Sequence, residues 1–268
     1  MPERFPAIYI PHGGGPWPFV ETGFGPRAMW EPLETYLRSL VTGLSERPRA
    51  ILVSSAHWEE PQPTLMTGAR PPMLYDYGGF PPEAYELRWD APGPDTTLVR
   101  RAQELLAARG FSSALEPRRG FDHGTFVPLK VALPEPDIPV LQVSLLRGLD
   151  PKAHIELGAA LAPFRDEGVV FIGSGMSYHN MRGFFRGDAQ EHSRLFDAWL
   201  EETTRLPAGE RNARLARWTE APAARQCHPR EEHLLPLHVM SGAAPDSRGE
   251  VVHRSEILGV TVSAIQFD

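Results

Sequence analysis

Short apolar runs alternate along this chain with segments of helical period, and several of the runs end in small residues. Ile51-Leu52-Val53 is such a run, followed by Ser54-Ser55-Ala56 and then His57-Trp58. An unbroken apolar stretch predicts a strand covered on both faces. Pro6 to Ile10 predicts a first strand, and Pro11-His12-Gly13-Gly14-Gly15-Pro16 predicts a glycine turn. Between the two strands, Met29, Trp30, Leu33, Leu37, Leu40 and Val41 recur at helical spacing, so a β-α-β unit is expected.

The same reading continues downstream. Pro61 to Thr67 and Tyr85 to Trp89 predict short strands, and Asp95 caps a helix from Thr96 to Arg109 that Gly110 stops. Between the two strands, Pro71 to Pro82 is a loop rich in aromatic side chains, which suits a pocket wall. Phe121 to Thr125 is a polar turn, and Ile138 to Leu145 a strand. Asp150-Pro151 starts a helix that runs to about Ala162. The Gly168 to Ile172 strand leads into Gly173-Ser174-Gly175-Met176-Ser177-Tyr178-His179-Asn180. Residues 188–204 predict an amphipathic helix with Leu195, Phe196, Trp199 and Leu200 on one face. Pro229 begins a helix bearing Glu231, Glu232 and His233, kinked or limited by Pro236, and residues 250–267 supply closing strands. No linker divides the chain. The alternation predicts one α/β domain over residues 1–268, with a central mixed β-sheet flanked by helices and a site at one rim of the sheet.

Composition narrows the function. With 268 residues, 41% of them hydrophobic, the chain can bury a sizeable core. Its net charge of -7 and lack of a long basic run exclude nucleic acid as an expected partner. No apolar run is long enough to span a membrane. Met1-Pro2-Glu3-Arg4 shows no signal-peptide pattern, and Cys227 is the lone cysteine, so a reducing, cytoplasmic setting is expected. Oligomeric state is not legible.

Three of the ten histidines, His12, His57 and His179, follow an apolar strand directly or through a small-residue turn. If those strands are neighbours, the imidazoles converge where open α/β sheets carry their ligand sites. Histidine suits zinc and iron, and a catalytic metal needs about three protein ligands and an open position. The segment after Pro229 offers a further ligand, either Glu232 or His233. Adjacent helical residues diverge, so only one of them is expected to reach the metal. His123, beside Asp122, suits acid/base work or substrate binding. His154, His192, His238 and His253 read as structural, and His228 as undecided.

Taken together, Pro11-His12-Gly13, Ser54-Ser55-Ala56-His57-Trp58, Asp76-Tyr77-Gly78-Gly79-Phe80-Pro81, Gly120 to Gly124, Gly173-Ser174-Gly175, His179 to Arg182 and Pro229 to Pro236 resemble the class III (LigB-type) extradiol ring-cleavage dioxygenases, in the DOPA 4,5-dioxygenase-like branch. The resemblance spans nearly the whole chain. It implies a non-haem enzyme that opens a catechol ring beside its diol with O₂, using Fe(II), with Zn(II) also found at the same site. It further implies His12, His57 and His233 as metal ligands, and His179 and His123 as catalytic histidines. Tyr77 and Phe80 are candidate substrate contacts from their loop, and Arg182 is a third because a guanidinium suits a carboxylate. The chain departs from the family's usual His-Gly-Ser-Pro at His12-Gly13-Gly14-Gly15-Pro16.

The alternative is a zinc-binding protein or metal-dependent hydrolase on the same scaffold, without oxygenase activity. A serine hydrolase built on Ser177 is disfavoured, because His179 stands where a nucleophile elbow needs glycine.

Overall fold

The computed structural model describes residues 4–184 and 186–268, so the Met1-Pro2-Glu3 opening lies outside the described residues. Among the described residues, eight strands form one mixed sheet: β1 (Ala7–Pro11), β2 (Ala50–Glu60), β3 (Thr64–Met66), β4 (Ala114–Glu116), β5 (Val140–Leu146), β6 (Val169–Gly175), β7 (Gly249–Ile257) and β8 (Val260–Phe267). Their order is β4-β3-β5-β2-β6-β1-β8-β7. β6 lies between β1 and β2 and is parallel to both. β8 pairs antiparallel to β1, and β7 to β8, so the closing strands make one edge. The predicted α/β class and mixed sheet are both present.

The helices are α1 (Glu31–Thr42), α2 (Thr96–Ala108), α3 (His123–Ala132), α4 (Pro151–Leu161), α5 (Ala189–Thr204), α6 (Ala208–Leu215), α7 (Ala224–Cys227) and α8 (Leu235–Gly242). Asp95 and Asp150 cap α2 and α4 as expected, accepting from the amides of Leu98 and Lys152. His154 is buried, with Nε2 accepting from the Leu146 amide and Nδ1 donating to the Asp150 carbonyl. It is structural, as read, and so is His238, enclosed between the carbonyls of Leu234 and Leu215.

Five expectations are corrected. β2 does not end at His57: it runs to Glu60, with its register against β5 broken between Ser54 and Glu59. Residues 85–89 form no strand. A 3-10 turn covers Pro82–Tyr85, and the polar groups that follow bond outside any ladder, with the Leu87 carbonyl accepting from Tyr75 and the Trp89 indole donating to Leu133. Residues 121–125 are not a free turn: Asp122 caps α3, and His123 is its first residue. Residues 229–234 are not helical: α8 starts at Leu235 with Pro236 in its first turn, where a missing N–H costs nothing. On α5, Phe196 and Leu200 are buried while Leu195 is exposed, since α5 packs on β8 through the other side.

Arg165 is wholly buried and ties three distant segments together. Its guanidinium donates to the carbonyls of Phe5, Ala243 and Phe267, joining the approach to β1 to the ends of α8 and β8. Removing the donors would leave buried acceptors unpaired. Arg165→Met is therefore expected to cost on the order of 3 kcal/mol. Urea unfolding should show a lower midpoint at unchanged slope, and a midpoint equal to that of the parent protein would refute this role.

Candidate active site

Three chain segments meet at the carboxyl ends of β1, β6 and β2. The His12 amide donates to the Gly175 carbonyl at 3.1 Å, which carries the β1–β6 ladder one residue further and leaves the ring over the sheet end. His57 lies inside the register break of β2, and breaks of this kind re-aim a side chain. Its amide donates to Ser55 Oγ at 3.2 Å, and Ser55 in turn donates to the buried Asp122 carboxylate at 2.7 Å. Asp122 also accepts from Gln142, Arg119 and the Thr125 amide, so one carboxylate anchors both β2 and the start of α3. Gly124 lets these two elements touch, because a Cβ there would lie 2.7 Å from the His57 ring.

His233 arrives from the turn before α8. Its carbonyl accepts from the Met176 amide at 3.1 Å and from the Tyr9 hydroxyl at 2.7 Å. A Cβ at Gly175 would sit 2.1 Å from that carbonyl oxygen, so the His233 turn can rest on the end of β6 only because residue 175 has no side chain. The His179 amide donates to the Cys227 carbonyl, and its ring stacks on His233 with centroids 3.3 Å apart.

Five imidazoles thus face one cavity of about 330 Å³, which Tyr77 and Phe80 also line. The Nε2 atoms of His12 and His57 are 3.3 Å apart. One ligand atom from each of His12, His57 and His233 lies within 4.8 Å of the others. His233 Nε2 is buried without a hydrogen-bond partner. His12 and His57 each place a ring nitrogen against another ring nitrogen, with no oxygen acceptor between them. Two nitrogens that each bind one tetrahedral cation at roughly 2.0–2.1 Å lie about 3.3 Å from each other, as the His12 and His57 Nε2 atoms do. The donor set therefore fits a transition-metal ion.

Two carboxylates stand behind the rings. Asp76 Oδ1 accepts from His123 Nδ1 at 2.9 Å, and Oδ2 lies 3.4 Å from His57 Nδ1. Glu232 Oε1 accepts from His233 Nδ1 at 3.0 Å and lies 3.4 Å from His179 Nδ1. Placing the protons on Nδ1 turns the Nε2 lone pairs toward the cavity. Burial raises both carboxyls, but the hydrogen bonds from His123 to Asp76, and from His179 and His233 to Glu232, outweigh it and hold both below their ordinary values. Burial, with the neighbouring imidazoles, lowers His12 and His233 well below the usual histidine range, and His57 to about 4.

The structure brings together His12, His57, His123, His179, His233, Tyr77 and Phe80. It does not bring in Arg182, which is exposed and is not among the cavity-lining residues. His228 is wholly buried and donates from Nε2 to the Ser177 carbonyl. Ser177 Oγ accepts from the Ser263 amide and does not line the cavity, which removes the serine-hydrolase reading. The sequence reading missed Asp76 as a partner of two histidines. The only local sign was an acid beside Tyr77. It also treated Glu232 as a rival of His233, whereas the carboxylate holds that ring from behind.

A mixed α/β sheet with five histidines at its parallel-strand rim makes a candidate metal centre. Residues 6–263 match the family described as the catalytic LigB subunit of aromatic ring-opening dioxygenase, and the chain belongs to that family. Within it, the chain is an extradiol ring-cleavage dioxygenase of the DOPA dioxygenase-like branch. It is 43% identical over 215 residues to a 4,5-DOPA dioxygenase extradiol of Beta vulgaris, covering 79% of each chain. It is 34% identical to the dioxygenase tasH of Hapsidospora irregularis over 272 residues, covering 96% of this chain and 83% of that one. A crystal structure of an uncharacterized Escherichia coli K12 protein matches with a TM-score of 0.79 at 26% identity, over 99% of this chain and 100% of that one.

Neutral buried imidazoles make the metal-free protein acid-sensitive. Besides His57, burial lowers His228 to about 3 and His238 to about 4. Between their ordinary value of 6.5 and about 4, the unfolded chain takes up protons that the folded one refuses. Stability of the metal-free protein is thus expected to fall as pH drops through that window. Chemical denaturation at stepped pH measures it, and a flat profile would mean these rings titrate alike in both states.

Proposed function

We propose that this dioxygenase opens a catechol-type ring beside its diol with O₂, at an Fe(II) centre held by His12, His57 and His233. The observation that carries this reading is the convergence of those three rings with His233 Nε2 buried and unpartnered. Fe(II) supplies a redox-active Lewis acid that can take the diol and O₂ side by side, which zinc, being redox-inert, could do only in part. Glu232 favours His233 as the ligand, because its oxygen is occupied by the Nδ1 groups of His233 and His179.

The remaining groups act on protons and position. His179, stacked on His233, accepts a diol proton at Nε2 while its Nδ1 stays directed at Glu232. His123, fixed by Asp76 through both its amide and Nδ1, presents Nε2 to the reacting face of the substrate. Phe80 and Tyr77 meet edge to face at 5.5 Å and wall the ring slot. The Tyr77 hydroxyl donates to the Ala84 carbonyl, and burial raises its phenol, so it stays neutral. The small substrate and O₂ are its partners, and neither nucleic acid nor membrane is invoked. Among the described residues no helix is long and apolar enough to cross a membrane. The chain works as one catalytic domain, in the cytoplasm, where the buried thiol of Cys227 stays reduced.

Anaerobic Fe(II) loading followed by O₂ uptake over a panel of catechols tests the reading. Uptake with ring-opened product is expected, and none with any catechol at full iron occupancy would overturn it in favour of a zinc protein without oxygenase activity. His57→Ala should lose metal and keep its fold. His123→Phe should keep metal and lose roughly 10²–10⁴ in kcat. Asp76→Asn should weaken metal binding or activity by about 10–100-fold. Metal content, circular dichroism and kinetics measured on each variant check the three. Stoichiometric metal in His57→Ala would remove it from the ligand set.

A further inference from the structure

The cavity is polar only at its floor. The imidazoles form that floor, and the wall is built from Phe24, Trp30, Phe80, Met181, Phe184 and Leu258. The polar tips among the aromatic wall residues are already used. Trp30 Nε1 donates to the Phe24 carbonyl at 2.8 Å and Tyr77 Oη to the Ala84 carbonyl at 2.5 Å. Among the described residues no lysine, arginine, aspartate or glutamate lines the cavity. Arg182, the sequence's candidate for a substrate carboxylate, is exposed and is not among the residues that line it. Two guanidiniums bonded to site residues are committed elsewhere: Arg119 to Asp122 and the His57 carbonyl, and Arg230 to Glu59 and Glu232.

We infer that the substrate is a catechol whose ring substituent is apolar and uncharged; this rests on the catechol-cleaving reading above. A diol placed on the histidine floor directs its substituent at the wall. There a carboxylate or ammonium would lose water and gain no partner, which is costly for any ion. The aromatic faces offer a cation little, because they are turned on one another: Trp30 packs on Trp17 at 5.0 Å, and Phe24 and Phe80 meet edge to face at 5.9 Å. DOPA, for which several relatives are named, carries both charges and fits this wall poorly.

The test uses the Fe(II)-loaded enzyme and four catechols substituted at the same ring position: propyl, 2-carboxyethyl, 2-aminoethyl and the amino-acid chain of DOPA. Propylcatechol is expected to exceed each charged substrate by about 100-fold in kcat/KM. A charged substrate equal to or better than propylcatechol would overturn the inference while leaving ring cleavage intact. If none of the four consumes O₂, the ring-cleavage reading fails, and their order of binding to the metal-loaded protein, by calorimetry, still decides the wall's preference. Met181→Arg, at the exposed mouth, should raise the ratio of carboxyethylcatechol to propylcatechol by about tenfold in kcat/KM. An unchanged ratio counts against a wall that rejects anions for want of a cation.

Discussion

A carboxylate shared between two imidazoles occurs on both sides of the cavity, and the geometry of the site depends on it. Asp76 engages His123 and His57, and Glu232 engages His233 and His179. Five imidazoles this close cannot all be protonated, and burial together with their mutual repulsion keeps His12, His57 and His233 neutral. A neutral ring has one donor and one acceptor nitrogen. For His57, His123, His179 and His233 the carboxylates claim the Nδ1 donors, which leaves Nε2 pointing into the cavity, whereas His12 has no carboxylate behind it.

That arrangement requires the chain to cross itself closely. β6 sits between β1 and β2, so the ends of three parallel strands share one rim. Gly175 lets the His233 turn rest on β6, and Gly124 lets α3 press on β2 beside His57. Asp122 then joins the Ser55 hydroxyl of β2, the start of α3 and Arg119 in one buried network. The small residues that surround the histidines in the sequence are thus contact points between segments, and they hold the site together from below. Above it lies the apolar wall.

Much of the fold was legible because burial on both faces writes continuous apolar runs into parallel strands. Ile51 to Val53 and Val169 to Ile172 show this, and small residues after such runs marked the rim. The errors were local and had physical causes. The 85–89 segment has strand-like residues but found its hydrogen-bond partners in Tyr75 and Leu133. His57 appeared to end a strand because periodicity does not register a bulge, and Pro236 appeared to break a helix that it in fact begins.

By itself, the sequence determined the α/β class, the buried strands that carry the rim, and the five histidines that could meet if the right strands were neighbours. Only the tertiary structure decided that they do meet and which carboxylate holds which ring. It also decided that Arg182 stays outside. The reason is that a side chain's direction is set by what it touches, and here those partners lie far away along the chain. The Asp76 to His123 bond spans 47 residues, and the Tyr9 bond that seats His233 spans 224. No local pattern of apolar and polar positions carries such contacts.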